Sequence, residues 1–266
     1  MRDPSYVAAL APAVGRLVRL WFRAEAHGLE HVPPDGGALI VSNHSGGLLP
    51  MDLPVIAAAF VEALGADRPL YVLAPELLFA GPVGPVLRRC GLLPATRENA
   101  DAVLAGGGVT IVFPGGDHDA LRPSTRANVV DFAGRTDYVR TALRAGVPIV
   151  PVVSIGGHQD QLHLWRGELL ARLLRLDRLV GARYLPISVG VPFGLTAGLP
   201  VNLPLPTKIV TRVLEPVDVA AELGPDADPA DPADPAAVAA VDRVIRARMQ
   251  DALDDLARER RFPVVG

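Results

Sequence analysis

Residues 41–52 read Val-Ser-Asn-His-Ser-Gly-Gly-Leu-Leu-Pro-Met-Asp, directly after the apolar run Ala38-Leu39-Ile40-Val41. Histidine is the side chain best placed to take a proton from a hydroxyl near pH 7, so His44 at the end of a buried strand is a candidate general base. A carboxylate on one ring nitrogen fixes the tautomer and leaves the other nitrogen free. Asp52 is the nearest carboxylate, and it also stands where it can cap the helix that follows. Asn43, Ser45, Gly46 and Gly47 surround the base, and the glycines admit a positive φ and a close approach of substrate to the backbone. A second segment has the same character: Phe113-Pro114-Gly115-Gly116-Asp117-His118-Asp119 follows the apolar run Val109–Val112.

Other chemistry-bearing residues do not assemble into a site. His158 and His163 are badly spaced to share a helical face, and no carboxylate or cysteine cluster completes a metal centre, so no metal is expected. Gly106-Gly107-Gly108 precedes a strand and so lacks the strand–glycine–helix order of a nucleotide loop. Ser154 lacks the first glycine of a hydrolase nucleophile elbow.

The positioning elements follow from periodicity. Tyr6, Val7, Leu10, Val14, Leu17, Val18 and Trp21 recur at helical spacing, with Arg16, Arg19 and Arg23 elsewhere on the wheel, which predicts an amphipathic helix. Strands are expected at 38–42, 70–74, 109–113, 147–155 and 208–214. Helices are expected at 53–64, 97–105 and 136–145, with a short one after Pro82. Leu162, Trp165, Leu169, Leu173, Leu176 and Val180 form one stripe, predicting a long helix over 162–180. The period alone fits core packing, whereas Arg166 and Arg172 at its border also suit a membrane interface. The Asp-Pro repeats of 226–235 predict a linker. Val238, Val241, Ile245, Met249, Leu253 and Leu256 predict a C-terminal helix. Strands alternating with helices argue for a single α/β domain around a largely parallel central sheet.

The chain has 266 residues, half of them apolar, and a formal net charge of −3, which gives no footprint for nucleic acid. No run reaches the ~18 apolar residues of a membrane span, and the 6–22 stretch lacks the cleavage pattern of a secretory signal. A lone cysteine, Cys90, points to a reducing, cytoplasmic setting. Lys208 is the only lysine among the basic residues, so single arginines carry little weight by themselves.

Taken together, these motifs resemble the glycerolipid and lysophospholipid acyltransferase superfamily. Asn43-His44 with its glycine loop and Asp52 is similar to the first signature of that family, and Phe113-Pro114-Gly115-Gly116 to the third. Val147-Pro148-Ile149-Val150-Pro151-Val152 is similar to the fourth. Gly91 to Ala100 stands where the second places a glycine and then an arginine, here Arg97. Order and spacing match over residues 27–215. The resemblance implies that His44, oriented by Asp52, activates a hydroxyl of a glycerolipid or lysophospholipid to attack the thioester of acyl-CoA or acyl-carrier protein, with no cofactor. Arg97 would meet a phosphate, and Phe113, Pro114, Gly115, Gly116 and Asp117, with Asn43, Ser45, Gly46 and Gly47, would shape the substrate site. A lipid acceptor and a membrane surface are the implied partners, at the cytoplasmic face of the cell membrane. With a lipid substrate, that surface would be reached by the 162–180 helix, the 6–23 helix or both. A lipid esterase or transacylase, or a non-catalytic lipid-binding module, are the alternatives.

Two departures from the family pattern stand out. Seven residues, not four, separate His44 from Asp52, so the loop must bulge. Gly115 stands where a glutamate usually follows the proline. This form, with Arg122-Pro123 after it, looks closer to the mono- and diacylglycerol acyltransferase branch. The expected layout is an amphipathic helix (1–26), an acyltransferase domain (27–224), an Asp-Pro linker (225–236) and a packed C-terminal helix (237–266).

Overall fold

The computed structural model describes residues 2–179, 181–223 and 235–262. In chain order its elements are α1 (Pro4–Trp21), β1 (Glu25–His27), β2 (Ala38–Ser42), α2 (Asp52–Leu64), β3 (Leu70–Ala74), α3 (Gly84–Arg89), β4 (Leu92–Pro94), α4 (Arg97–Ala105) and β5 (Val109–Val112). Then come α5 (Gly116–Ala120), α6 (Asp137–Ala145), β6 (Ile149–Ile155), α7 (Gly157–Asp160), β7 (Leu162–Trp165), α8 (Glu168–Leu173) and α9 (Leu176–Leu179). The remainder is β8 (Ile187–Gly190), β9 (Gly194–Ala197), β10 (Val210–Val213), α10 (Val219–Leu223) and α11 (Pro235–Glu259).

The main sheet has the order β1-β10-β6-β2-β5-β3-β4. The strands from β6 to β4 are parallel, and β10 returns antiparallel along β6. β2, at its centre, is buried along its whole length. Its residues alternate between two cores, as the pleat requires. Leu39 and Val41 pack with Val139 of α6 and with Ile245, Met249 and Leu253 of α11. Ala38 and Ile40 pack on the other face with Ile56 and Phe60 of α2. Strands covered on both faces favour apolar residues at nearly every position, which is why β2 and β6 read as apolar runs interrupted only by Ser42 and Ser154. Val18 and Phe22, at the end of α1, lock against Val55 and Ile209.

The helix expected over 162–180 is not formed. Leu162–Trp165 is instead a strand in a second sheet, of order β7-β8-β9, and only the short helices α8 and α9 follow. Gly167 breaks the pattern: it adopts φ +69°, and a Cβ there would lie 1.9 Å from the Leu185 carbonyl oxygen. Arg175, at φ 53°, separates α8 from α9. The Asp-Pro segment lies at 224–234, outside the described residues, and the C-terminal helix begins at Pro235 rather than at 237.

One buried polar tie joins α6 to α11. The Tyr138 hydroxyl donates to Asp242 Oδ1 at 2.8 Å, and Arg246 Nε donates to Oδ2 of the same carboxylate at 2.8 Å. Tyr138→Phe strips one donor from a buried acceptor that keeps its arginine, and is expected to lower unfolding free energy by about 1–2 kcal/mol in urea titration.

Candidate functional site

β2 and β5 lie side by side in register, Val41 against Val112, and both release their loops at the carboxyl edge of the parallel sheet. Ligands gather at this edge in open α/β folds. The first residue beyond β2 is anchored rather than free. Asn43 accepts from the Ser154 amide (2.8 Å) and donates to the Ser154 carbonyl (2.9 Å), continuing the ladder to β6 with a side chain. Asn43 is 2% exposed, so its amide serves the loop rather than an incoming ligand.

The long loop does close. His44 Nδ1 is 2.9 Å from Asp52 Oδ2. The same oxygen accepts from the Ser45 amide (2.8 Å), and Oδ1 accepts from the Leu53 amide (2.7 Å). Gly46 and Gly47 adopt φ +91° and +64°, which turns the chain back on itself. The Gly47 amide donates to the Ala120 carbonyl. A Cβ at Gly47 would stand 2.1 Å from His163 Nε2, so glycine is required there for space as well as for φ. Asp52 is the first residue of α2, where the helix dipole favours a negative charge. Ser45 is buried, its side chain against Gly157.

The His44 side chain is 16% exposed. With Nδ1 donating to Asp52, Nε2 carries the lone pair, and it has no hydrogen-bond partner among the described residues. Burial pushes the imidazole pKa down, but the Asp52 charge and hydrogen bond, with Asp119 behind them, outweigh this and raise it above the usual histidine value. The ring lies against Phe113, centroids 4.2 Å apart at 30°. Phe113 therefore sets one face of the base.

Asp119, the last residue of the second chemistry-bearing segment, has no role assigned from the sequence. It is fully buried, at the end of α5, and accepts from the His44 backbone amide at 2.7 Å. Burial pushes its carboxyl up to about 7 against the pull of Arg122, whose guanidinium lies 2.8 Å away. Nothing local in the chain marks it, because its partner His44 lies 75 positions earlier. Asp119 also explains the missing glutamate: a Cβ on Gly115 would be 2.5 Å from the Asp119 Cβ, so a side chain at 115 is excluded. Asp117 instead points outward to Arg135 (3.3 Å), and Arg135 also donates to the carbonyls of Pro114 (3.0 Å) and Gly115 (2.8 Å). Gly116 adopts φ +49°, with Arg135 packed beside it. His118 sits between Asp131 and Tyr184.

Beside Phe113 opens a cleft of about 440 Å³ lined by Thr96, Arg97, Phe113, Pro114, Arg135 and Tyr138, among others. Arg97, the first residue of α4, is exposed and makes no ion pair among the described residues. An anion can reach it directly.

Behind the His44 loop lies a buried polar floor. His158 Nε2 donates to the Asp119 carbonyl at 3.0 Å, and burial pushes the ring's pKa down to about 4. His163 is likewise pushed down to about 4 by burial. Asp160 is fully buried, and burial together with the Asp52 charge pushes its carboxyl up to about 9. All three are therefore neutral at pH 7. Among the described residues, no three His, Cys, Asp or Glu side chains group to hold a metal.

Comparison with known proteins places these elements in context. Residues 23–155, half of the chain, match the family model described as Acyltransferase. An uncharacterised protein of Mycobacterium tuberculosis is 36% identical over 229 residues, 85% of this chain and 61% of that one. The chain thus spans about three-fifths of the length of that relative. The human DGAT1/2-independent enzyme synthesizing storage lipids is 32% identical over 135 residues, 50% of this chain and 40% of that protein. The crystal structure of the 1-acyl-sn-glycerophosphate acyltransferase PlsC from Thermotoga maritima superposes with a TM-score of 0.57 at 20% identity, covering 96% of this chain and 84% of that one. At that identity it bears on the fold alone.

The polar floor predicts a pH dependence. Asp160 holds a proton in the folded chain up to about pH 9 that the unfolded chain releases near 4. Stability therefore falls as pH rises through this window, by at most about 1.4 kcal/mol per pH unit. The two depressed histidines act with the opposite sign, but only below their ordinary pKa of 6.5. Between pH 7 and 9, urea unfolding of Asp160→Asn should show a shallower decline than the parent; equal slopes would rule the buried neutral acid out.

Proposed function

This chain belongs to the glycerolipid acyltransferase superfamily, and from that premise we propose that it moves a fatty acyl group from a thioester, acyl-CoA or acyl-carrier protein, to a hydroxyl of a glycerolipid or lysophospholipid. The reading rests on one observation above all: the partner-free Nε2 of His44, on a ring whose tautomer Asp52 fixes at 2.9 Å. Nε2 takes the proton of the acceptor hydroxyl as its oxygen attacks the thioester carbonyl. The tetrahedral adduct then collapses, an ester bond forms, the C–S bond breaks, and the proton passes from the imidazolium to the departing thiolate. Asp52 stays ionised throughout and steadies the imidazolium. Arg97 holds a phosphate of the donor or acceptor, and the cleft beside Phe113 receives the acceptor. The storage-lipid enzyme among the relatives favours a neutral glycerolipid acceptor alongside the phospholipid ones. We place the protein at the cytoplasmic face of a membrane, attached peripherally; among the described residues no helix is long and apolar enough to cross one.

Purified protein given radiolabelled acyl-CoA and a panel of lyso- and neutral lipids should yield esterified product in excess of free fatty acid; the reverse ratio would favour an esterase. His44→Ala is expected to lower kcat/KM by about 10²–10⁴-fold, with circular dichroism showing the fold retained although the Asp52 carboxylate loses one of its three donors. The pH–rate profile should rise through a base pKa above the ordinary 6.5 of histidine. Removing the carboxylate in Asp52→Asn should move that limb to lower pH while kcat falls, provided circular dichroism shows the variant folded. Product formation indifferent to both substitutions would refute His44 as the base.

A further inference from the structure

Antiparallel sheets at the surface of soluble domains turn apolar side chains inward and polar ones outward. The β7–β8–β9 sheet is reversed. Its register aligns Leu162, Val189 and Leu195 in one row across the three strands, and His163, Ser188 and Thr196 in the next. The polar row is the buried one: His163 is 2% and Thr196 8% exposed, and His163 Nδ1 lies 2.7 Å from Ser188 Oγ. The apolar row faces out, with Leu195 69% exposed. Phe193, Leu199 and Leu203 extend this face, and Leu169, Leu173 and Leu179 of α8 and α9 are exposed as well.

Charge accompanies the apolar surface. Arg172, Arg175, Arg178 and Arg183 are exposed and make no ion pair among the described residues, against the acidic Glu168 and Asp177 in the same stretch. The surface is also continuous with other elements. Trp21 Nε1 donates to the Pro204 carbonyl at 3.0 Å, joining it to the exposed Leu17 and Leu20 of α1. Leu48, on the loop that carries His44, meets Val189 and Leu203 around a small cavity.

We infer that this inverted sheet, with α8 and α9, seats the protein on a bilayer carrying anionic headgroups. Leu195, Phe193 and their neighbours enter the acyl boundary while the arginines reach lipid phosphates. A second copy of the chain fits the surface less well, because a two-fold interface would set the arginine cluster near its own copy. The inference rests on the lipid substrate proposed above, and it assigns the docking to this sheet rather than to a single long helix.

The test is co-sedimentation of the full chain with phosphatidylcholine vesicles, with and without phosphatidylglycerol. The chain should bind the phosphatidylglycerol vesicles more tightly, and less so as salt rises. Phe193→Asp combined with Leu195→Asp should lower vesicle affinity at least about tenfold. Arg172→Glu, Arg175→Glu and Arg178→Glu together should abolish the preference for phosphatidylglycerol. Circular dichroism and melting should match the parent in both sets. His44→Ala should bind like the parent, so a failure of docking and a failure of the acyl-transfer reading are separable. Parental vesicle binding by both surface sets would overturn the inference. So would a parent that ignores vesicles but forms a dimer that Phe193→Asp dissolves.

Discussion

The Asp52 carboxylate is the charge around which the site is folded. A fully buried carboxylate is costly unless donors surround it, and here three converge: the His44 ring, the Ser45 amide and the Leu53 amide. The local chain path follows from meeting that demand. The loop must double back so that residues 44 and 45 face residue 52, and two consecutive left-handed glycines make the reversal. The His44 ring is oriented by the same contacts that satisfy the acid, so the geometry of the candidate site and the stability of its loop are one problem with one solution.

The second carboxylate acts on the same residue from the other side. Asp119 holds the His44 main chain, and Asp52 holds its ring. Both charges favour an imidazolium, the state the proposed base passes through while it carries a proton. Behind them the protein carries groups that stay neutral, Asp160, His158 and His163, so no further charge from these three competes for His44 at pH 7. On the opposite side, Phe113 gives the ring an apolar neighbour and leads into the cleft.

The central strands were legible because burial on both faces leaves a nearly unbroken apolar run, and His44 stood out because it interrupts such a run. The closing of a seven-residue gap was harder to read, since it depends on φ at Gly46 and Gly47 and on amides that carry no sequence signal. The role of Asp119 escaped for a different reason: it comes from His44, far away in the chain, and Arg122 matters through Asp119. The segment after residue 161 was misread because the pattern in Leu162–Trp165 and the leucines beyond it satisfies a helical period across Gly167. A sheet with its polar row inside offers none of the usual cues, because the alternation rule assumes water on the outer face.

The two-point pairing of Asn43 with Ser154 shields the loop from chemical ageing, because both side-chain amide atoms are held and the His44 amide that would attack the side chain donates to Asp119. Deamidation would turn the donating amide into a carboxylate oxygen aimed at the Ser154 carbonyl, replacing attraction with repulsion where the loop leaves the sheet. The imidazole would then lose its fixed origin although neither His44 nor Asp52 had changed. A mass change at position 43 on storage should therefore follow loss of the fold rather than precede it.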